Sequence, residues 1–135
     1  MLSRALLSGG RRFSTTQPVV SQLQMDEGDF ENLAESYLAS IDNTLDKLAS
    51  KLNPEEIAYS YGVLTIDLGK KGTWVLNKQT PNQQIWWSSP ISGPRRFFFS
   101  SETGKWHWTR DTQVTINHSL GQELNDASGV PVKLD

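Results

Sequence analysis

The chain has 135 residues, 36% of them hydrophobic, with five Trp, five Phe, three Tyr, no cysteine and a net charge of −2. This length fits one domain with flanking segments, and the bulky aromatics can fill its small core. The absence of cysteine excludes disulfides, thiolate metal sites and cysteine nucleophiles.

Residues 1–25 contain Arg4, Arg11 and Arg12 and no acid, whereas residues 26–135 hold 10 Lys and Arg against all 15 acids, a net of −5. An Arg-bearing, Ser/Thr-rich, acid-free segment with Leu2, Leu6, Leu7 and Phe13 is the pattern of a mitochondrial transit peptide. A secretory signal would need a longer apolar block than Ala5-Leu6-Leu7. Arg11-Arg12-Phe13-Ser14 resembles a matrix-processing pattern with cleavage after Phe13. A disordered basic tail has the same composition, and on either reading residues 1–25 stay outside the fold and residues 26–135 form the domain.

Phe30, Leu33, Tyr37, Ile41, Leu45, Leu48 and Leu52 recur every three or four residues, which predicts an amphipathic helix over 26–52. Asp26, Glu27 and Asp29 complement the dipole of its first turn, and Asn53-Pro54 ends it. The period then becomes two. Strands are expected at 57–61, 63–68, 73–79, 83–89, 95–99 and 105–110, with a short last one at 113–116. A second helix over 117–127 looks weak, because Gly121 costs about 1 kcal/mol relative to Ala and Ser119 interrupts the apolar face. Beyond Gly129, Val130, Val132 and Leu134 share one side of an extended tail. One helix, a run of hairpin-linked strands and a second helix imply an α+β fold: a two-layer αβ sandwich with two helices on one face of an antiparallel β-sheet. The other sheet face is then left to solvent.

Ordinary active-site chemistry is not visible. His107, between Trp106 and Trp108, suits a structural role, and neither His107 nor His118 has a partner at metal-ligand spacing. Gly69-Lys70-Lys71-Gly72 joins two strands and lacks the helix that a phosphate loop needs. The acidic balance argues against nucleic acid, and no apolar run approaches the roughly 20 residues that span a bilayer.

Two surfaces stand out. Glu31, Glu35, Asp42 and Asp46 fall within an arc of roughly 60° on the first helix, with Asp26, Glu27 and Asp29 extending the acidic end. Carboxylates without His or Cys suit a hard cation or Fe2+ held loosely; a solvated helix face has the same composition, and spacing alone favours it. On the sheet, Trp74, Leu76, Ile85 and Trp87 make the better core set, which turns Asn77, Gln79, Gln84, Trp86 and Ser88 outward with Arg96 beside them. An indole ringed by amides fits a protein-binding anchor, and fits equally an indole covered by a loop or by the N-terminal segment.

The block GTWVLNKQTPNQQIWWSSPISGPRRF, Gly72 to Phe97, resembles the signature of the frataxin family, with further likeness at Asp26-Glu27, Leu33-Ala34-Glu35, Gly62-Val63-Leu64-Thr65 and Glu123-Leu124. The resemblance implies an αβ sandwich, a mitochondrial matrix location and a role in iron–sulfur cluster assembly. It implies weak iron (Fe2+/Fe3+) binding on a ridge mapping to Asp26, Glu27, Asp29, Glu31, Glu35, Asp42 and Asp46. It implies docking of the cysteine desulfurase and scaffold protein through Asn77, Gln79, Asn82, Gln84, Trp86 and Arg96. Ferroxidase activity, iron-driven oligomers of a monomer, and iron delivery to ferrochelatase for haem synthesis also come with the family. Three departures matter. Gln83 stands where relatives often have Lys, removing one partner-facing charge. Asn43, Lys47 and Ser50 thin the ridge. The Ser119/Gly121 helix implies low stability that leans on the C-terminal tail.

Overall fold

The computed structural model describes residues 20–134, so the expected processing site after Phe13 lies outside the described residues. Helix α1 (Glu27–Lys47) starts at Asp26, whose carboxylate accepts from the Asp29 amide at 3.2 Å and so satisfies one of the unpaired N–H groups of the first turn. Its apolar stripe, Phe30, Ala34, Leu38, Ile41 and Leu45, is buried at steps of three and four. The expected single helix is broken at Leu48, whose amide bonds the Leu45 carbonyl. The short α2 (Ala49–Leu52) follows and ends at Asn53, which takes a left-handed conformation with φ 50°.

Six strands follow: β1 (Glu56–Ser60), β2 (Val63–Asp67), β3 (Thr73–Gln79), β4 (Gln84–Ser89), β5 (Gly93–Ser100) and β6 (Lys105–Trp108). They form one sheet in sequence order, every neighbour antiparallel. Tyr61 and Gly62, with φ 51° and 77°, make the two-residue turn between β1 and β2; positive φ at both positions matches the twist of the flanking strands. One face of the sheet presents Leu64, Ile66, Trp74, Leu76, Ile85, Trp87, Phe97 and Trp106 to the helices, all buried. Phe30 meets Trp106 edge-on with ring centroids 6.1 Å apart, which joins α1 to the far strand.

The strand expected at 113–116 is reduced to a single bridge between Thr115 and His107. Asp111 holds the Gln113 amide at 3.1 Å in a local turn, and the Thr115 side chain accepts from His118 N as the cap of α3 (Ile116–Ser128). Capping thus commits this segment to a helix start rather than to a ladder. Strand β6 likewise stops at Trp108, not at 110.

Helix α3 uses the two residues that make its composition look weak as packing positions. Ser119 and Gly121 are both buried, and a Cβ on Gly121 would lie 2.9 Å from the Val132 carbonyl oxygen. The small residues are what lets the tail lie close: Val130, Val132 and Leu134 pack against the core across this helix. Among the described residues the fold is two layers as expected, but with three helices over the six-stranded sheet.

Candidate functional site on the outer sheet face and the acidic helix

Strand register builds the outer face. Asn77 pairs with Trp86 and Trp86 with Arg96, which sets an amide, an indole and a guanidinium in one row across β3, β4 and β5. Trp87 faces the core at 2% exposure, and alternation puts Trp86 on the other side, where it is half-buried. The Arg96 guanidinium lies 4.4 Å from the Trp86 ring centroid, and the indole N–H donates to Gln84 Oε1 at 3.0 Å. The indole is thus held on its face by a cation and at its edge by an amide. Gln79 pairs with Gln84 at the end of the same two strands, and Asn82 lies exposed in the turn between them.

Residues 22–25, counted with the flanking segment from sequence, are tied to that turn. Gln22 Nε2 donates to the Asn82 carbonyl at 2.8 Å, and Gln84 Nε2 donates to Gln22 Oε1 at 3.0 Å. Among the described residues of this segment, Gln22 reaches the Gln84 amide. Gln83 corrects its expected role as a partner-facing position that has lost a charge. It is buried, with φ 52°, and its amide exchanges two hydrogen bonds with the Met25 backbone, accepting at 3.0 Å and donating at 2.8 Å. A flexible ammonium could donate to the Met25 carbonyl but could not accept from its amide.

The acidic ridge is divided by a residue missed in the sequence. Lys78 reaches up from β3 and puts Nζ 2.6 Å from Glu31 and 2.5 Å from Glu35. Thr80 Oγ1 also donates to Glu31 at 2.7 Å. These hydrogen bonds, Lys78 first, hold the Glu31 carboxyl below its ordinary 4.5. Burial alone would lower Lys78, but its bonds to the two glutamates prevail and raise it. Asp42 differs: partial burial and then the charge of Asp46 push its carboxyl up, and among the described residues no ion pair offsets this. Asp26 is engaged as a helix cap, and Glu27 and Asp29 lie exposed beside it. The carboxylates run along the helix rather than converging: among the described residues no group of three or more His, Cys, Asp or Glu is placed to hold a metal ion. The signal for Lys78 was in the alternation, since it shares a strand face neither with Asn77 nor with Gln79 and so must point towards the helix side.

His107 is buried with both ring nitrogens engaged within the fold. Its Nδ1–H donates to the Thr112 carbonyl at 2.7 Å, so Nε2 accepts from the Thr103 hydroxyl at 2.6 Å. Glu123 is a second residue whose part was not legible. Nearly buried on α3, its Oε1 accepts from the Trp74 indole N–H at 2.9 Å and from the Ser89 hydroxyl. Ser89 in turn accepts from the amides of Ile91 and Ser92, so Glu123 fixes the corner between β4 and β5 that leads into Arg95 and Arg96.

The frataxin-like domain family matches residues 23–130. The chain belongs to the frataxin-like family. A mitochondrial frataxin of Arabidopsis thaliana is 37% identical over 131 residues, covering 92% of this chain and 68% of the relative. One from Caenorhabditis elegans is 37% identical over 115 residues, covering 82% and 80%. One from Dictyostelium discoideum is 51% identical over 70 residues, covering 52% of this chain and only 36% of its own length. Among solved structures, trimeric yeast frataxin complexed with ferrous iron aligns at a TM-score of 0.63 and 30% identity, covering 82% of this chain and 92% of its own. A frataxin from Psychromonas ingrahamii, at 16% identity and the same TM-score of 0.63, shares the fold. In this family member the row Asn77, Trp86, Arg96 lies on one layer and the divided acidic ridge on the other. No described helix is long and apolar enough to cross a membrane.

Proposed function

We propose that this chain acts in the mitochondrial matrix as an iron-binding activator of iron–sulfur cluster assembly, docking the desulfurase–scaffold complex through its outer sheet face. Residues 1–25 serve as the targeting segment on this reading. The observation that carries the docking half is the Trp86 indole, held half-exposed between Arg96 and Gln84 on a sheet face that none of the described helices covers. A large aromatic fixed in place by a cation and an amide presents apolar area with little rotamer entropy left to lose, as binding anchors do. Asn77, Gln79 and Asn82 supply adaptable hydrogen bonds around it.

Iron is cargo in this reading, held loosely by carboxylates and water. The Asp42–Asp46 pair suits it best, because a divalent cation there relieves both the burial and the mutual repulsion that raise Asp42. Glu31 and Glu35 take part only when Lys78 is displaced. The yeast neighbour complexed with ferrous iron supports the metal half.

The test is reconstituted cluster synthesis with the desulfurase and scaffold. Trp86→Ala should abolish the stimulation while leaving the melting temperature close to that of the parent; full stimulation by the variant would sink the sheet-face assignment. The trimeric state of the yeast neighbour favours a second reading, a ferroxidase and iron-storage protein that also supplies iron for haem synthesis. On that reading, Fe2+-dependent oxygen consumption falls when Glu31, Glu35, Asp42 and Asp46 are neutralised and is untouched by Trp86→Ala.

A further inference from the structure

A groove of about 590 Å³ is bounded by residues 21–25, by α1 and by the corner between β5 and β6, and it shares no lining residue with the Trp86 face. Leu23, Met25, Leu33 and Phe99 give it an apolar lining. Leu33 belongs by spacing to the apolar stripe of α1 and is nonetheless exposed, and Leu23 is 69% exposed. Two exposed leucines at one concavity leave apolar area that gains by being covered. The charge there has one sign. Asp29 and Glu102 line the groove, both exposed, and no Lys, Arg or His does. Among the described residues the ion pairs belong to Lys78, so neither carboxylate holds a cation. The groove therefore suits an occupant that is both apolar and basic.

Such a sequence lies next to the groove in this same chain. The described residues start at Val20, and the next one, Ser21, already lines the groove. Residues 11–19, RRFSTTQPV, carry Arg11, Arg12, Phe13 and Val19 and no acid. Extended, these nine residues reach about 30 Å, enough to turn back over a groove that begins where they attach. We propose that residues 11–19 cover this groove, with Phe13 and Val19 on its leucines and Phe99 and with Arg11 and Arg12 paired to Asp29 and Glu102. Tethering makes the contact intramolecular, at an effective concentration of roughly millimolar, so a modest fit fills the site. A second copy or a partner has to compete with this tethered segment at its own free concentration. Cleavage after Phe13 would remove both arginines and the phenylalanine together and so uncover the groove. That consequence rests on the targeting-segment reading; the docking itself rests on the groove and on the residues that precede it.

The test uses the full chain. It has no cysteine, so Ser8→Cys provides a single attachment point for a nitroxide spin label just ahead of the docked residues. Paramagnetic broadening of the Asn32, Leu33 and Ser101 amide signals is expected, stronger than at Trp86 and Arg96. A tether alone brings the label near, so the deciding comparison is between labelled chains. Arg11→Gln, Arg12→Gln and Phe13→Ser together should cut the broadening at least about threefold, because two exposed ion pairs and one covered ring are lost. Glu102→Gln alters an exposed side chain of the β5–β6 corner and should also cut it, with the segment itself intact. Equal broadening in these variants would show that the tether alone sets the distance and would overturn the proposal. Broadening concentrated at Trp86 and Arg96 would do the same by placing the segment on the sheet. So would broadening of nitroxide-free, isotope-labelled chains mixed with spin-labelled ones, since it would give the groove to a second copy. The Trp86→Ala stimulation assay reads a face that shares no residue with this groove, so either claim can fail without the other.

Discussion

Glu123 ties the core indole of Trp74 to the β4–β5 corner through one buried carboxylate, and replacing it has a calculable outcome. Its Oε1 takes the indole N–H of Trp74, a residue with 0% exposure, and the hydroxyl of Ser89, which itself holds two amides of the β4–β5 corner. Glu123→Ala strands both donors in the core. Each unsatisfied buried group costs about 1–3 kcal/mol, so a loss of about 3 kcal/mol is expected. For a domain of this size about 1 kcal/mol moves the melting temperature by roughly 4 °C, giving a fall of about 12 °C. Glu123→Gln keeps an oxygen where both bonds converge and should lose only about 1 kcal/mol. Thermal and urea denaturation of the full chain measure both, and the Trp74 indole N–H signal reports the bond directly. An alanine variant melting within about 2 °C of the parent, or equal losses for Ala and Gln, would refute the reasoning. The loss should also reach function, because the corner sets the start of β5 and hence Arg95 and Arg96.

Further outcomes follow from single contacts. Lys78→Ala should open Glu31 and Glu35 to Fe2+, seen as new metal-dependent NMR shifts at those residues under anaerobic conditions; unaltered shifts would remove Lys78 as the competitor. The same pair sets an acid dependence. Glu31 is lowered from 4.5 in the folded state, so its contribution is complete above the unfolded value and is lost as pH falls through the lower folded one. That part of the acid sensitivity should shrink in Lys78→Ala to the smaller share held by Thr80, and an unchanged acid profile would refute the pairing. Gly121→Ala should destabilise the protein although Ala favours helix by about 1 kcal/mol, because the new methyl meets the Val132 carbonyl at 2.9 Å; a raised melting temperature would disprove the close approach. Ending the chain at Gly129 should lower the melting temperature by uncovering α3, and a truncated chain as stable as the parent would show that the tail does not contribute.

The acidic ridge shows where pattern reading stops. Its carboxylates were located correctly on one arc of α1, since a helix repeats at a fixed angle. Their state was not legible, because it depends on a lysine 43 residues away from Glu35 along the chain. The same holds for Gln83, read as a surface position from its place in a turn. A left-handed backbone turns it inward to clasp Met25, 58 residues earlier. Trp86 lies between these cases: alternation assigned its face, and only cross-strand register brought Arg96 over its ring.

The amino-acid sequence by itself determined the order of elements, the two-layer architecture, and which of two adjacent tryptophans enters the core. These follow from periodicity, which is local and survives without knowledge of neighbours. Only the tertiary structure decided the break at Leu48, the conversion of the expected last strand into a helix cap, and the use of Ser119 and Gly121 as a bed for the tail. It alone decided which carboxylates already hold a cation. Those outcomes depend on groups distant in the chain meeting at hydrogen-bonding distance, where burial makes a missing partner expensive and a present one decisive.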